Sequence, residues 1–194
     1  NGVSMSEISN GSSAFWDYNL SSEEYTKKYF SPYLKVIMEV YPNDKKYYFS
    51  QIKTLSRTGK ICYNYYFISK YPGPILYLAN GMVVKISSVG SYGGYNNRVI
   101  VDINGTQKPN MLGRDVFVFV MSTKPNTDLY TCSTNGCIGK TDSIGKLVPA
   151  GYGHSNQDLL IESRCGDGGG WFAGDVCAAA IMNNNWKIPN DYPW

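Results

Sequence analysis

The sequence predicts an α+β domain in which an N-terminal helical segment packs on an antiparallel sheet, followed by a disulfide-stapled C-terminal loop region. Apolar residues recur at helical spacing up to residue 41, and from residue 46 the period changes towards two. The strand-like segments are joined by tight turns, and such strands pair only antiparallel. We therefore treat 1–194 as one domain with a helical segment 1–41, a sheet 46–121 and a cysteine-containing region 122–194.

The helical segment carries a recognisable start signal. Ser21 and Glu24 form a capping box, in which the serine caps the helix and the glutamate reaches back to it. Apolar and aromatic positions then recur at helical spacing: Tyr25, Tyr29, Tyr33, Val36, Ile37 and Val40. Pro32 is expected to kink or divide this helix, with Ser31 capping the second half.

The middle of the chain reads as a meander of short strands. The predicted strands are 46–54, 61–69, 75–78, 82–87, 98–103 and 115–121. Asn80-Gly81 predicts a two-residue hairpin turn, and Asn104-Gly105 predicts another. Further on, 122–176 reads as a long loop region, 177–182 as a strand or short helix, and 186–188 as a final β-segment.

Five cysteines indicate where the loop region is held together. Cys132 and Cys137 flank a turn-forming sequence, and Cys165 and Cys177 flank a glycine-rich loop. Pairing of neighbours is the simplest of three connectivities for four cysteines. Closing a loop of about a dozen residues stabilises by roughly 3 kcal/mol. Cys62 reads as a buried strand thiol, and free thiols in a reducing cell are the alternative to both bridges.

Composition excludes several functional classes. Charged residues make up only 17%, the formal net charge is +3 and no Lys/Arg block occurs, so we expect no nucleic-acid partner. No run of 18 apolar residues occurs, so we expect no membrane contact by this fragment. With 17 Tyr and 20 Gly, the chain reads as an extracytoplasmic, β-rich surface protein.

The search for catalytic residues finds none. The Cys-Gly-Asp-Gly-Gly-Gly sequence at 165–170 resembles a serine-protease motif, but Gly168 occupies the nucleophile position and cannot form an acyl-enzyme. The only histidine, His154, lies in a glycine-rich loop that is typical of an exposed residue. We therefore predict that the protein is not an enzyme.

The spacing of the acidic residues does not match that of a known metal-binding motif. Asp102 begins a segment that resembles an EF-hand loop, but the third acidic ligand is absent and Gly113 stands at the twelfth position. A hairpin turn braced by Asp102 is the preferred interpretation. Three further acidic residues lie in the loop region: Asp142, Asp167 and Asp175. They could ligate calcium, but nothing in their spacing indicates it, so calcium stays an open alternative and we predict neither a metal nor a cofactor.

One segment resembles a known family. Residues 99–119 follow the pattern strand, Asp-x-Asn-Gly, Lys-x-Pro-Asn, Gly-x-Asp-x-Phe, and this pattern resembles type IV pilin-like proteins, including the pseudopilins of type II secretion. The residues that carry it are Asp102, Asn104, Gly105, Pro109, Asn110, Gly113, Asp115 and Phe117. The C-terminal segments 177–182, 186–188 and 192–194 are also similar to that group, as is the placement of 29–34.

The resemblance implies a structural role. It implies a long N-terminal helix packed on an antiparallel sheet, with an apolar first half that anchors the precursor in the inner membrane and forms the filament core. We expect this chain to be the globular head without that apolar half. Its partners would be other pilin subunits, reached through the helix, so the isolated head should be a monomer in an extracytoplasmic location.

Two alternatives come from other classes of protein. One is a secreted or surface module that binds carbohydrate or another ligand and has no filament role. The other is a degenerate hydrolase-like domain. The coding sequence upstream of residue 1 would discriminate them, because a prepilin-type start followed by about 20 apolar residues favours a pilin, whereas a conventional signal peptide favours the secreted module.

Overall fold

A computed structural model of the chain describes residues 20–41, 73–87, 96–105, 107–122, 147–153 and 176–192, with the single residues 155, 159, 165 and 174. These ranges contain two α-helices, a short 3-10 helix and six strands. In chain order they are α1 (Ser22–Tyr29), the 3-10 helix (Ser31–Tyr33), β1 (Val36–Val40), β2 (Ile75–Leu78), β3 (Val83–Ser87), β4 (Asn96–Asp102), β5 (Val116–Ser122), β6 (Leu147–Pro149) and α2 (Cys177–Asn183).

The six strands form one sheet in the order β1-β2-β3-β4-β5-β6. Every neighbouring pair is antiparallel. The predicted α+β class and the antiparallel sheet are therefore confirmed. The sheet includes residues outside the predicted range 46–121, because β1 precedes that range and β6 follows it.

The hairpin β2–β3 forms where the sequence predicts it. Gly81 takes a positive φ of 86°, which a residue with a side chain rarely adopts. The side-chain oxygen of Asn80 accepts a hydrogen bond from the backbone N–H of Met82 at 3.1 Å. The Asn-Gly signal thus acts through both residues, one by its backbone freedom and the other by its side chain.

Helix α1 begins at the predicted capping box. The backbone N–H of Glu24 donates to the Ser21 hydroxyl at 3.2 Å, and the Ser21 N–H donates to the Glu24 carboxylate at 3.0 Å. The helix buries Tyr25 and Tyr29, whose rings meet edge to face with centroids 5.0 Å apart. Together with Phe30, these rings pack against the apolar side chains on one face of the sheet, which are Leu76, Leu78, Val84, Ile86 and Val99.

The predicted helical segment 1–41 ends earlier than expected. After the 3-10 helix at Pro32, residues Val36–Val40 form strand β1, not a second helix. A β-bulge lies at Ile37, since Val36 pairs with Leu78 but Met38 pairs with Tyr77. The extra residue turns Val36 and Val40 towards opposite faces of the sheet, although a regular strand would place both on one face.

The second face of the sheet carries the other core. Its central members are Val40, Ile75, Val83, Ile100, Leu112, Val116, Val118, Val148, Ala150, Leu159, Val176, Ala179 and Ala180. Helix α2 closes this face, and a disulfide between Cys165 and Cys177 joins the helix to the preceding chain with an S–S distance of 1.98 Å. That predicted bridge is confirmed. The predicted pair Cys132–Cys137 and the thiol of Cys62 lie outside the described residues.

The C-terminal region differs from the prediction in two places. Residues 147–149 form a strand within the expected loop region, paired with β5. The segment 186–188, predicted as β, continues a turn from the end of α2, in which Asn185 and Trp186 have φ values of 55° and 61°. The Lys187 N–H donates to the Asn184 carbonyl at 3.1 Å, and the Asn184 side-chain amide donates to the Lys187 carbonyl at 3.0 Å. These local bonds use the backbone N–H and carbonyl of Lys187, which in a strand would bond to a neighbouring strand.

Several predictions fall on residues that the structure does not describe. They are the predicted strands 46–54 and 61–69, the segment 1–19, His154, Gly168 and the acidic residues Asp142, Asp167 and Asp175. No helix in the described ranges is long and apolar enough to cross a membrane.

Candidate functional site

Seven of the eight motif residues in the segment 99–119 lie in or at the ends of the connection between β4 and β5, and the eighth, Phe117, lies in β5. We call this connection the Asp102–Asp115 loop (residues 102–115). Strand β4 enters it and β5 leaves it, and Asp102 pairs directly with Val116. The loop therefore begins and ends at the same level of the sheet. This arrangement corrects the expected tight turn at Asn104-Gly105, because the antiparallel pairing already stops at Asp102 and the whole segment 103–115 makes the connection.

Asp115, the last residue of the loop, accepts hydrogen bonds from three of the loop's other residues. Its Oδ2 accepts hydrogen bonds from the Asn110 backbone N–H at 2.8 Å and from the Asn104 side-chain amide at 3.1 Å. Its Oδ1 accepts a bond from the Met111 backbone N–H. The side chain is buried, with the residue only 3% exposed, and hydrogen bonds to a charged acceptor are stronger than neutral ones. One carboxylate thus fixes three points along the loop.

Asp102 braces the entry to the loop, as the sequence predicts. It is 1% exposed, and its Oδ1 accepts the Asn104 backbone N–H at 3.2 Å. Burial and, to a smaller extent, the negative charge of the nearby Asp115 raise the pKa of Asp102 to about 7, against backbone hydrogen bonds from Asn104 and Gly105 that lower it. Two acidic side chains therefore face each other in a poorly solvated place.

The loop backbone follows conformations that suit its motif residues. The Lys108–Pro109 peptide bond is cis, and Gly105, Asn110 and Gly113 have φ values of 67°, 54° and 80°. Asparagine is one of the few residues with a side chain that takes such values readily. The motif residues are therefore explained by backbone shape as well as by hydrogen bonding.

Gly113 connects the loop to the C-terminal region. A Cβ atom added at Gly113 would lie 2.7 Å from Cys177 Sγ, so the glycine packs directly on the disulfide. The buried hydroxyl of Tyr192 donates a hydrogen bond to the Gly113 carbonyl. Burial raises the pKa of Tyr192 well above its usual range, which keeps the hydroxyl protonated as a donor.

Three buried polar atoms in and near the site have no hydrogen-bond partner. Two are the side-chain oxygens of Asn104 and Asn110, both in the Asp102–Asp115 loop. The third is the Nζ of Lys85, which is 0% exposed on β3. Burial lowers the pKa of Lys85 to about 8. Such atoms are uncommon in folded proteins, because each loses its hydration without a replacement.

The Asp102 and Asp115 carboxylates brace the described part of the loop through hydrogen bonds from its own residues. In the described ranges, no three His, Cys, Asp or Glu side chains come together as a possible metal site. Phe117 pairs with Val101 in the sheet, and Pro109 follows the cis peptide bond in the loop.

The sequence reasoning missed the buried Lys85 and the bond from Tyr192. Lys85 had a signal: it lies two residues after Val83, and hence on the same face of β3, in a hairpin whose other strand residues except Ser87 are apolar or aromatic. The Tyr192 bond had none, because it joins residues that are 79 apart in the chain.

Comparisons with known proteins return no relative. No protein-family model matches the chain, and neither a curated protein nor a solved structure shows significant similarity to it.

Proposed function

We propose that the chain is the globular head of a pilin or pseudopilin, a structural subunit of a type IV pilus or a type II secretion pseudopilus. The observation that carries the proposal is the contact between Tyr192 and Gly113. The family resemblance rests on several segments far apart in the sequence, and two of them, 99–119 and 192–194, meet at this hydrogen bond. A joint role in one folded head explains why both patterns occur in one chain.

The properties of the loop favour a structural role over binding or catalysis of a substrate. Its two carboxylates are almost fully buried and accept bonds from the loop's own backbone. Groups committed in this way hold a shape and are not presented to a substrate. The disulfide next to the loop suits a protein that works in an oxidising compartment, outside the cytoplasm.

In this proposal the head and the helix have different tasks. An apolar N-terminal helix supplies the hydrophobic association in the filament core, and the head supplies the outer surface and weaker polar contacts. The low charge of the chain suits a surface that meets neighbours without strong electrostatic steering. The isolated head should then be monomeric, because in this proposal the helix, and not the head, drives association.

The decisive experiment expresses the gene with its own upstream coding sequence in the native cell. Surface filaments are sheared off, purified and digested, and mass spectrometry is used to look for peptides of this chain. We expect the peptides in the filament fraction. The matched control replaces the upstream sequence by an ordinary secretion signal, which should release the head as a soluble monomer in light scattering.

Two results would contradict the proposal. One is recovery of the natural gene product only as a soluble secreted protein, above all one that binds immobilised glycans. The other is a stable dimer of the isolated head, because its association would then not depend on a helix.

A further inference from the structure

The turn that follows helix α2 presents two large apolar side chains to solvent. Trp186 is 63% exposed and Ile188 is 68% exposed, and the exposed Lys187 lies between them in the chain. A single exposed apolar side chain is normal on a protein surface. Two of them within three residues of one turn form a small apolar patch. We call residues 186–188 the Trp186 turn.

Hydrogen bonds fix the backbone of the Trp186 turn. The Trp186 N–H donates to the Ile181 carbonyl at 2.9 Å. The Lys187 N–H donates to the Asn184 carbonyl at 3.1 Å, and the Lys187 carbonyl accepts the Asn184 side-chain amide at 3.0 Å. Beyond the turn, the buried Tyr192 ties the chain to the loop between β4 and β5. The two apolar side chains are therefore exposed on an ordered turn.

The backbone conformation of Trp186 is unusual for its residue type. Its φ is 61°, in the left-handed region that glycine and asparagine adopt readily but a bulky aromatic residue rarely does. The preceding Asn185, with a φ of 55°, is a residue that suits this region. Because most of the Trp186 ring faces solvent, packing does not explain why a tryptophan is held there. A strained residue with an exposed ring indicates a role outside the fold.

We propose that the Trp186 turn is a contact site for the surface of a phospholipid bilayer, with Trp186 and Ile188 in the headgroup region. Tryptophan favours this region, because its ring combines an apolar body with a polar N–H. Lys187 is the only charged residue between positions 176 and 190, and a lysine favours anionic headgroups. The other polar residues of that range are asparagines, whose neutral side chains an anionic surface does not repel.

The size of the patch favours a bilayer over a protein partner. Specific protein interfaces bury about 800 Å² on each side, and three side chains on one turn offer far less. A lipid surface needs no matching shape, so each apolar side chain that enters it adds to the binding separately. The proposal departs from the expectation of no membrane contact, which rests on the lack of a spanning segment. A contact in the headgroup region needs no such segment.

Binding through one turn should be weak and reversible. It orients a domain that is already held near a bilayer, and it does not anchor a free one. The lipid contact is independent of the proposed function, although a precursor with a membrane helix would supply such a tether.

The test measures co-sedimentation of the purified chain with phosphatidylcholine vesicles, with and without about one third phosphatidylglycerol. The wild type should bind the anionic vesicles more strongly. Trp186→Asn should weaken binding about tenfold. Its Tm should be no lower than that of the wild type, because asparagine readily takes a φ of 61°. Lys187→Gln should reduce the preference for anionic vesicles about fivefold.

Ile188→Thr and Ile37→Thr are a matched pair, because these isoleucines are 68% and 71% exposed. Only Ile188→Thr should weaken binding, and equal effects would overturn the proposal. So would absence of wild-type binding to both kinds of vesicle, or a lower Tm of Trp186→Asn, which would assign the ring to the fold.

A protein partner would give a different result. Self-association of the wild type without lipid, measured by light scattering and lost in Trp186→Asn, would identify a protein surface and overturn the lipid assignment. Failure of vesicle binding leaves the proposed function standing, because the vesicle test involves no filament.

Discussion

Lys85 is the residue whose environment fits it least. It pairs with Ile75 on β2 and Ile100 on β4, so its side chain lies among apolar neighbours on the face that α2 covers. The acidic group on this face is Asp102, the diagonal neighbour, to which Lys85 makes no hydrogen bond. The desolvation that lowers its pKa to about 8 is a cost to the folded state.

Replacing Lys85 by Met should therefore stabilise the protein. The two side chains have similar length, and methionine adapts to irregular space in a core. The variant removes a buried amine without a partner, and we expect the free energy of unfolding to rise by about 1–3 kcal/mol at pH 7. Urea unfolding of both proteins measures the difference, and a less stable variant would show that Lys85 has a partner in solution.

The same residue predicts a dependence of stability on pH. A lysine has a pKa of about 10.4 when unfolded, and Lys85 has a pKa of about 8 when folded. Between these values the unfolded state binds more protons, so stability rises with pH, by about 2 kcal/mol from pH 8 to pH 10. Lys85→Met should lack this rise. Both proteins contain the same tyrosines, so subtracting the variant's curve of stability against pH from that of the wild type removes their contribution.

Gly113 provides a second prediction at the scale of single residues. Gly113→Ala forces a side chain onto a backbone with φ of 80° and into Cys177 Sγ, and it should cost about 2–4 kcal/mol. Gly81→Ala is the matched control, because its φ is 86° but its Cβ would meet nothing within 4 Å. It should cost about 1 kcal/mol. Equal losses in thermal unfolding would mean that the contact with the disulfide is unimportant.

At the scale of elements, helix α1 depends on its first turn. Ser21 satisfies the Glu24 N–H, and Ser21→Ala should lower stability by about 1 kcal/mol. The exposed pair Lys27–Glu23 is the comparison, because solvent screens it, so Glu23→Gln should cost less stability than the loss of the cap. Denaturant unfolding ranks the two variants, and the reverse order would exclude the cap as the main support of α1.

The elements also show which patterns in the sequence were informative. The β2–β3 hairpin was predictable because the Asn80-Gly81 turn specifies its own geometry. Strand β1 was not predictable, because the bulge at Ile37 sends Val36 and Val40 to opposite faces. The strand therefore lacks the regular two-residue alternation, and its apolar residues were interpreted as a helical pattern. A bulge becomes visible only when the partner strand is known.

The candidate site was predictable in its residues but not in its arrangement. The motif identified Asp102, Asn104, Asn110 and Asp115, and the position of Asp102 before a turn predicted its bond to the backbone. The register that places Asp102 opposite Val116, and hence next to Asp115, is a property of strand pairing. The sequence therefore identified these residues, and the pairing of β4 with β5 brings them together.

For the whole molecule, the disulfide is expected to be a major support. Cys165 and Cys177 close a loop with a sequence separation of 12, which stabilises by roughly 3 kcal/mol. The variant with both cysteines changed to Ser should lose about that amount in urea unfolding. Mass spectrometry without reductant should find the two residues in one bridged peptide, and two free thiols in freshly purified secreted protein would contradict the fold.

The six described strands have the same order in the sheet as in the chain, and this has a consequence for the pathway of folding. Each strand can add to the one before it, beginning at the β2–β3 hairpin, where the connection is shortest. The bond from Tyr192 to Gly113 spans 79 residues and should form last. Tyr192→Phe should thus accelerate unfolding and leave the refolding rate unchanged in stopped-flow experiments. Slower refolding would mean instead that the chain closes its C-terminal end before the sheet is complete.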